Sequence, residues 1–152
     1  SPTSEKDGLK TIKRFFPQSF DRILLDPPCS ALGVRPKLFV VQESLEELEK
    51  NARYQRKFVK EACALLKPGG FMTYSTCTFN AGENELMVRH ILDNYISLEL
   101  WPIEINHGQA GLKGHGLDEG ERCKVRRFDP HDEQADTMGF FVALFRRRAE
   151  RS

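Results

Sequence analysis

No run of about 18 or more apolar residues occurs in this chain, and no signal-like apolar stretch stands at its amino end, so nothing in it argues for a membrane span or for secretion. The four cysteines, at positions 29, 63, 77 and 123, include no CxxC pair. That spacing makes a poor disulfide framework and weakens a structural zinc site; none of His90, His107, His115 or His131 has ligand-like spacing to Cys29 or Cys77, so no metal is expected. Charge of one sign is also missing. With 23 basic and 22 acidic side chains the net charge is +1, so no global field draws nucleic acid, and any such binding must use a local patch. Free thiols in a reducing compartment are the expectation, hence an intracellular protein, cytoplasmic or nuclear.

What is present suits one globular α/β domain. Residues 1–19 mix charge and small polar groups without a period and read as a linker or truncated entry segment; 20–146 read as the domain and 147–152 as a basic tail. Ile23–Leu25 form an apolar run that stops at Pro27-Pro28, as expected of a strand buried on both faces. From Ser44 onward Leu45, Leu48, Ala52, Phe58, Val59, Ala62 and Leu66 recur at helical spacing, interrupted at Gln55. Ser44 and Glu47 make a capping box, and Lys67-Pro68-Gly69-Gly70 supplies the stop. That tetrapeptide lacks the strand and the Gly-Lys-Ser/Thr ending of a phosphate loop.

Phe71–Thr76 reads as a second strand, and the helix between the two strands has the length of a parallel crossover. Parallel strands end at one sheet edge, where open α/β folds bind ligands. Cys29 and Cys77, each just past a strand, should therefore meet there. A further helix is expected from the start signal Asn80 and Glu83, with Val88, Ile91, Leu92 and Tyr95 as its apolar face. A short strand near Leu98–Trp101 and a closing strand at Gly139–Phe145 follow, separated by a Gly-, His- and charge-rich stretch too long for an ordinary connection. There is no internal repeat.

A nucleophilic sulfur needs thiolate character. A helix starting near Asn80 would favour the Cys77 anion through its dipole, whereas the carboxylate of Asp26 would raise the Cys29 thiol. Cys77 is then the readier nucleophile. Cys63 falls on the buried helix face as a small core residue, and Cys123 lies in the long stretch without supporting context. Arg126-Arg127 and Arg146–Arg148 could touch phosphate, the last three being more simply solvated surface.

Asp26-Pro27-Pro28-Cys29-Ser30 and Tyr74-Ser75-Thr76-Cys77-Thr78 resemble the two cysteine motifs of the Sun-domain RNA cytosine-5 methyltransferases. The likeness extends to Phe20–Leu25, Gly82-Glu83-Asn84-Glu85, Pro130-His131 and Gly139–Ala143. It implies the carboxyl-terminal half of a Rossmann-like S-adenosylmethionine-dependent methyltransferase fold, with parallel strands and an antiparallel closing strand, acting on carbon 5 of cytosine in RNA. By the same resemblance Cys77 would add to carbon 6 of the base, Cys29 would assist release, and Asp26 would bond the base and sit near the cofactor amine. Arg35, Arg127 and His131 are the candidate RNA contacts. The wording Ser19–Asp26 with Gly33-Val34-Arg35-Pro36 is closest to the eukaryotic branch that modifies the acceptor end of certain tRNAs. Two rivals stand beside this reading: a catalytically silent RNA-binding or docking module, and a thiol oxidoreductase.

The chain departs from the family pattern twice. Ala31 stands where the motif usually has Gly, in a turn that Gly leaves free. And no strand with a Gly-rich turn, the element that holds the cofactor's methionine part in this fold, precedes Phe20. The missing amino-terminal half of the domain is therefore an expected partner. Calorimetry on the 152-residue chain should show no micromolar binding of S-adenosylmethionine; a micromolar Kd would contradict the expectation.

Overall fold

Strand β1 (Phe20–Leu25) and strand β2 (Leu66–Thr76) pair in parallel, joined by helix α1 (Leu45–Leu65) as the crossover. In this computed structural model residues 15–36 and 43–149 are described; 1–14 of the expected entry segment and 150–152 of the expected basic tail lie outside them. Helix α1 begins where its capping box predicts: Ser44 Oγ accepts from the Glu47 N–H at 3.2 Å, and the Glu47 carboxylate accepts from the Ser44 N–H at 2.8 Å. It ends without an intervening turn, because β2 starts at Leu66. The Pro68-Gly69-Gly70 stretch is an irregularity inside the strand, with the register shifting between Phe20↔Leu66 and Arg22↔Phe71 and Gly69 at φ +77°.

Helix α2 (Glu85–Asn94) leads to strand β3 (Leu98–Trp101), and strand β5 (Phe140–Arg147) closes the sheet. The strand order is β1-β2-β5-β3, with β5 antiparallel to both neighbours. The long stretch before β5 is more ordered than its composition suggests. It holds a short helix, α3 (Glu119–Arg122), capped by Asp118, and a three-residue strand, β4 (Arg126–Phe128), paired with β5 beyond the end of β3.

Register decides which face is dry. Ile23, Met72, Phe145 and Leu100 lie abreast on one face, followed by Leu25, Tyr74 and Ala143, and against them pack Val59 and Ala62 of α1 and Val88 and Ile91 of α2. The opposite face carries Arg22, Leu24, Phe71, Thr73, Leu144, Arg146 and Trp101, and among the described residues no helix covers it. The expectation that β1 is buried on both faces is therefore corrected: Leu24 is 76% exposed, since its continuous apolar run meets a helix on one side only. On the bare face the Arg22 guanidinium lies 4.7 Å from the Phe71 ring centroid and that of Arg146 lies 4.9 Å from Trp101.

A close backbone crossing ties the loop after β1 to the start of β5. The Gly33 N–H donates to Cys77 O at 3.0 Å, and the Gly139 N–H donates to Gly33 O at 2.9 Å. A Cβ at Gly33 would stand 2.2 Å from Gly139 O, so backbone rather than a movable side chain blocks it. Gly33→Ala should lower stability by about 1–3 kcal/mol, read as a shifted midpoint in chemical denaturation; an unshifted midpoint would show that the crossing is not a fixed feature.

Candidate active site

The parallel crossover delivers both motifs to one edge. Leu25 pairs with Tyr74 near the ends of their strands, and beyond them Cys29 Sγ and Cys77 Sγ stand 3.3 Å apart, both half-buried. Asp26 is exposed at the end of β1, where its Oδ1 accepts from Ser75 Oγ at 3.1 Å. Ala31 takes φ +52°, so the turn needs the left-handed conformation that the more usual glycine adopts without strain.

The two thiols sit on a buried polar bed. Glu83 is fully buried, and its carboxylate accepts from Ser30 N–H (3.1 Å), Ser30 Oγ (2.6 Å), Gln55 Nε2 (2.7 Å) and Asn80 Nδ2 (3.1 Å). Gln55 also donates to Pro28 O at 3.0 Å, and the Tyr74 hydroxyl lies 3.1 Å from Gln55 Oε1 and 2.7 Å from Glu83 O. Burial, reinforced by Glu83, holds that phenol well above the ordinary tyrosine range, so it remains a donor. Thr76 Oγ1 donates to Asn84 Oδ1 at 2.6 Å, and Asn84 Nδ2 donates to Thr78 O at 2.9 Å.

Burial also pushes the Cys29 thiol up to about 11, with its hydrogen bond to Cys77 adding in the same direction. Asp26, expected to be the cause, is not among the contributors. The expected start of the second helix near Asn80 is corrected as well. Helix α2 begins at Glu85, after a turn through residues 81–84, and its N-cap residue Asn84 is hydrogen-bonded to Thr76 and Thr78 on either side of Cys77.

A family model described as 16S rRNA methyltransferase RsmB/F matches residues 3–146. The chain belongs to the RsmB/F methyltransferase family. It is 46% identical over 141 residues to an Arabidopsis thaliana protein named rRNA (cytosine-C(5))-methyltransferase NOP2C, with 86% of this chain and 23% of the relative covered. It is 42% identical over 124 residues to the mouse tRNA (cytosine(72)-C(5))-methyltransferase NSUN6, covering 82% of this chain and 26% of that one. The crystal structure of NSun6 from Pyrococcus horikoshii with SFG superimposes with a TM-score of 0.69 at 42% identity, over 82% of this chain and 29% of that one. The chain thus spans less than a third of the length of each of these RsmB/F relatives and neighbours.

Within that family frame the expected site residues separate. Cys29, Cys77 and Asp26 share the edge. Arg35 and His131 come together, lining a cavity of about 310 Å³ with Pro130, Asp132, Glu133 and Asp136. Arg127 does not join them, and its reading as an RNA contact is corrected. It is buried; its Nε and Nη2 donate to the two Glu85 carboxylate oxygens at 2.9 and 2.8 Å, and Nη1 donates to Phe79 O at 2.8 Å. A guanidinium buried to 5% exposure, with one N–H of each nitrogen committed inside the protein, is not presented to a phosphate in solution. Among the described residues no group of three or more His, Cys, Asp or Glu side chains could hold a metal ion, and no helix is long and apolar enough to cross a membrane. Sequence reasoning missed Gln55 and Glu83 as parts of the site; the available signal was a polar residue at position 55 in an otherwise apolar helical stripe.

A thiol whose pKa is raised is protonated below that pKa and becomes thiolate only above it. Alkylation of Cys29 by iodoacetamide, followed by peptide mass spectrometry, should therefore be slow at neutral pH and rise toward an inflection near 11. An inflection near 9, the ordinary thiol value, would contradict the burial described here.

Proposed function

We propose that this chain carries the reacting thiols of an enzyme that methylates carbon 5 of cytosine in RNA, with tRNA as the substrate class, and that it works inside the cell in the cytoplasm or nucleus. The observation that carries the proposal is the 3.3 Å approach of Cys29 and Cys77, because the roles proposed for them require both sulfurs at one pyrimidine. Membership of a family whose named relatives are rRNA and tRNA cytosine-C5 methyltransferases supports the reaction class.

Carbon 5 of cytosine is a weak nucleophile. The Cys77 thiolate bonds to carbon 6, which makes carbon 5 enamine-like and able to take an electrophilic carbon. Asp26, exposed beside the thiols, hydrogen-bonds the base. After methylation the carbon-5 proton must leave and the Cys77–carbon 6 bond must break, its electrons returning to sulfur. Cys29 is placed to receive that proton as thiolate, after its own thiol proton has passed to solvent water. At rest it is a thiol, and its S–H can donate to the Cys77 thiolate. Once Cys77 is bonded to carbon, its charge is gone, and with it one influence that holds the Cys29 proton in place. The target base must leave its stack to reach this crevice, so single-stranded or end-proximal RNA is the suitable form.

S-adenosylmethionine supplies the activated methyl group when bound. The residues here fit part of it: Asp26 Oδ2 takes no hydrogen bond among the described residues and can accept from the cofactor's ammonium, while the Gly-rich turn for the rest of the molecule is not in this sequence. Free-standing affinity for cofactor is therefore not part of the proposal.

RNA containing 5-fluorocytosine or 5-azacytosine should form a covalent complex with the full-length protein that survives a denaturing gel and is abolished in Cys77→Ala. Natural RNA should leave a stalled complex with Cys29→Ala. Absence of any adduct with the analogue RNA would favour a silent binding module, and a reversible Cys29–Cys77 disulfide of defined potential without adduct would favour a thiol oxidoreductase.

A further inference from the structure

We infer that Glu83 is the positioning residue of the two-thiol centre, its buried carboxylate holding Cys29 against Cys77 through Ser30. The inference rests on the roles of the two cysteines proposed above. Glu83 touches neither sulfur, and its contacts with the helix it precedes do not explain its burial. Helix α2 starts at Glu85 with Asn84 as its N-cap, and no side chain caps it.

What Glu83 does bond is the loop around Cys29. Pro28 O, on one side of the cysteine, takes Gln55 Nε2 at 3.0 Å, and that nitrogen also donates to Glu83 at 2.7 Å. Ser30, on the other side, gives both its N–H and its hydroxyl to Glu83, at 3.1 and 2.6 Å. The backbone is thus gripped immediately before and immediately after the sulfur-bearing residue. Asn84, next in the chain, grips Cys77 in the same way through Thr76 and Thr78. Consecutive residues therefore hold one thiol loop each.

The link between the halves is a directed chain of protons. The Asn80 N–H donates to Thr78 Oγ1 at 3.2 Å, and Ser30 Oγ lies 2.8 Å from Thr78 Oγ1 and 2.6 Å from Glu83 Oε1. Each hydroxyl has one proton, so Ser30 donates to Glu83 and Thr78 donates to Ser30. The chain terminates on a group that only accepts. Oε1 faces Ser30 Oγ and Asn80 Nδ2, and Oε2 faces Ser30 N–H and Gln55 Nε2. An amide in place of the carboxylate keeps the volume but turns an NH₂ toward Ser30 N–H and Gln55 Nε2 in one flip, and in the other toward Asn80 Nδ2 and a Ser30 hydroxyl that must reverse its hydrogen bond to accept. Glu83→Gln should therefore release the Cys29 loop while leaving the packing in place.

The test uses full-length protein, S-adenosylmethionine and total cellular RNA, and follows methylated cytosine and gel-stable protein–RNA complex together in Glu83→Gln, Ser30→Ala, Cys29→Ala and Cys77→Ala. Displacing Cys29 impairs release more than attack, so Glu83→Gln should accumulate stalled, methylated complex at least about tenfold above the unaltered protein. Ser30→Ala, which removes only the hydroxyl link, should move the same way by less, and it decides the matter if Glu83→Gln does not fold. A role confined to folding would lower complex and methylation in parallel. Such parallel loss in the folded variants, or unaltered behaviour of both, overturns the inference while Cys29→Ala still stalls. Failure of Cys29→Ala itself to stall overturns the assignment of the thiols, and this inference with it.

Discussion

Two strands that run the same way and lie side by side must finish at the same edge, and the meeting of the two cysteine motifs follows from that constraint on β1 and β2. Helix α1 supplies the return path, and the pairing of Leu25 with Tyr74 sets how far each strand reaches. Cys29 and Cys77, widely separated along the polypeptide, then stand 3.3 Å apart without any covalent link between their loops. The residual precision comes from hydrogen bonds in a dry setting, where each bond to a charged group contributes about 1.5–3 kcal/mol. A hydrophobic core alone could bring the loops near each other; it could not fix sulfur against sulfur.

Those bonds also keep Cys29 in the setting that raises its thiol pKa. Cys29 is half-buried in its loop, and that burial favours its protonated form. The same enclosure is what Glu83, Gln55 and Ser30 maintain. Polar side chains buried so completely are tolerated because their partners are all present; removing one leaves the others unmatched, which costs more than the bond was worth.

Much of this was legible in the residue order. The capping box at Ser44 and Glu47, the apolar runs at Ile23–Leu25 and Gly139–Phe145, and the crossover-length separation were enough to place both cysteines at one edge. Three features were not legible, each for a physical reason. Asn80 and Glu83 look like a helix start because capping and buried networks draw on the same side chains, and only the fold tells which use prevails. Arg127 looks like surface because a charge normally seeks water, yet here Glu85 meets it with matching geometry in the interior. Leu24 looks like core because its neighbours in sequence are apolar, but one side of the sheet carries no helix among the described residues.

That bare side has a bearing on how the molecule behaves among its own copies. Its rings are not open grease: guanidinium planes from Arg22 and Arg146 lie across Phe71 and Trp101, so part of the aromatic surface is roofed by groups that prefer to keep their own hydration. Such a plane offers neighbours mostly wet cation, with Leu24 as its chief greasy spot. The rim of β1 is different, since the strand on that flank has no mate among the described residues and presents backbone donors and acceptors in a row. The border of β1, where backbone groups stand unpaired among the described residues, rather than the arginine-roofed face, is thus the part of this fold suited to pairing with another strand.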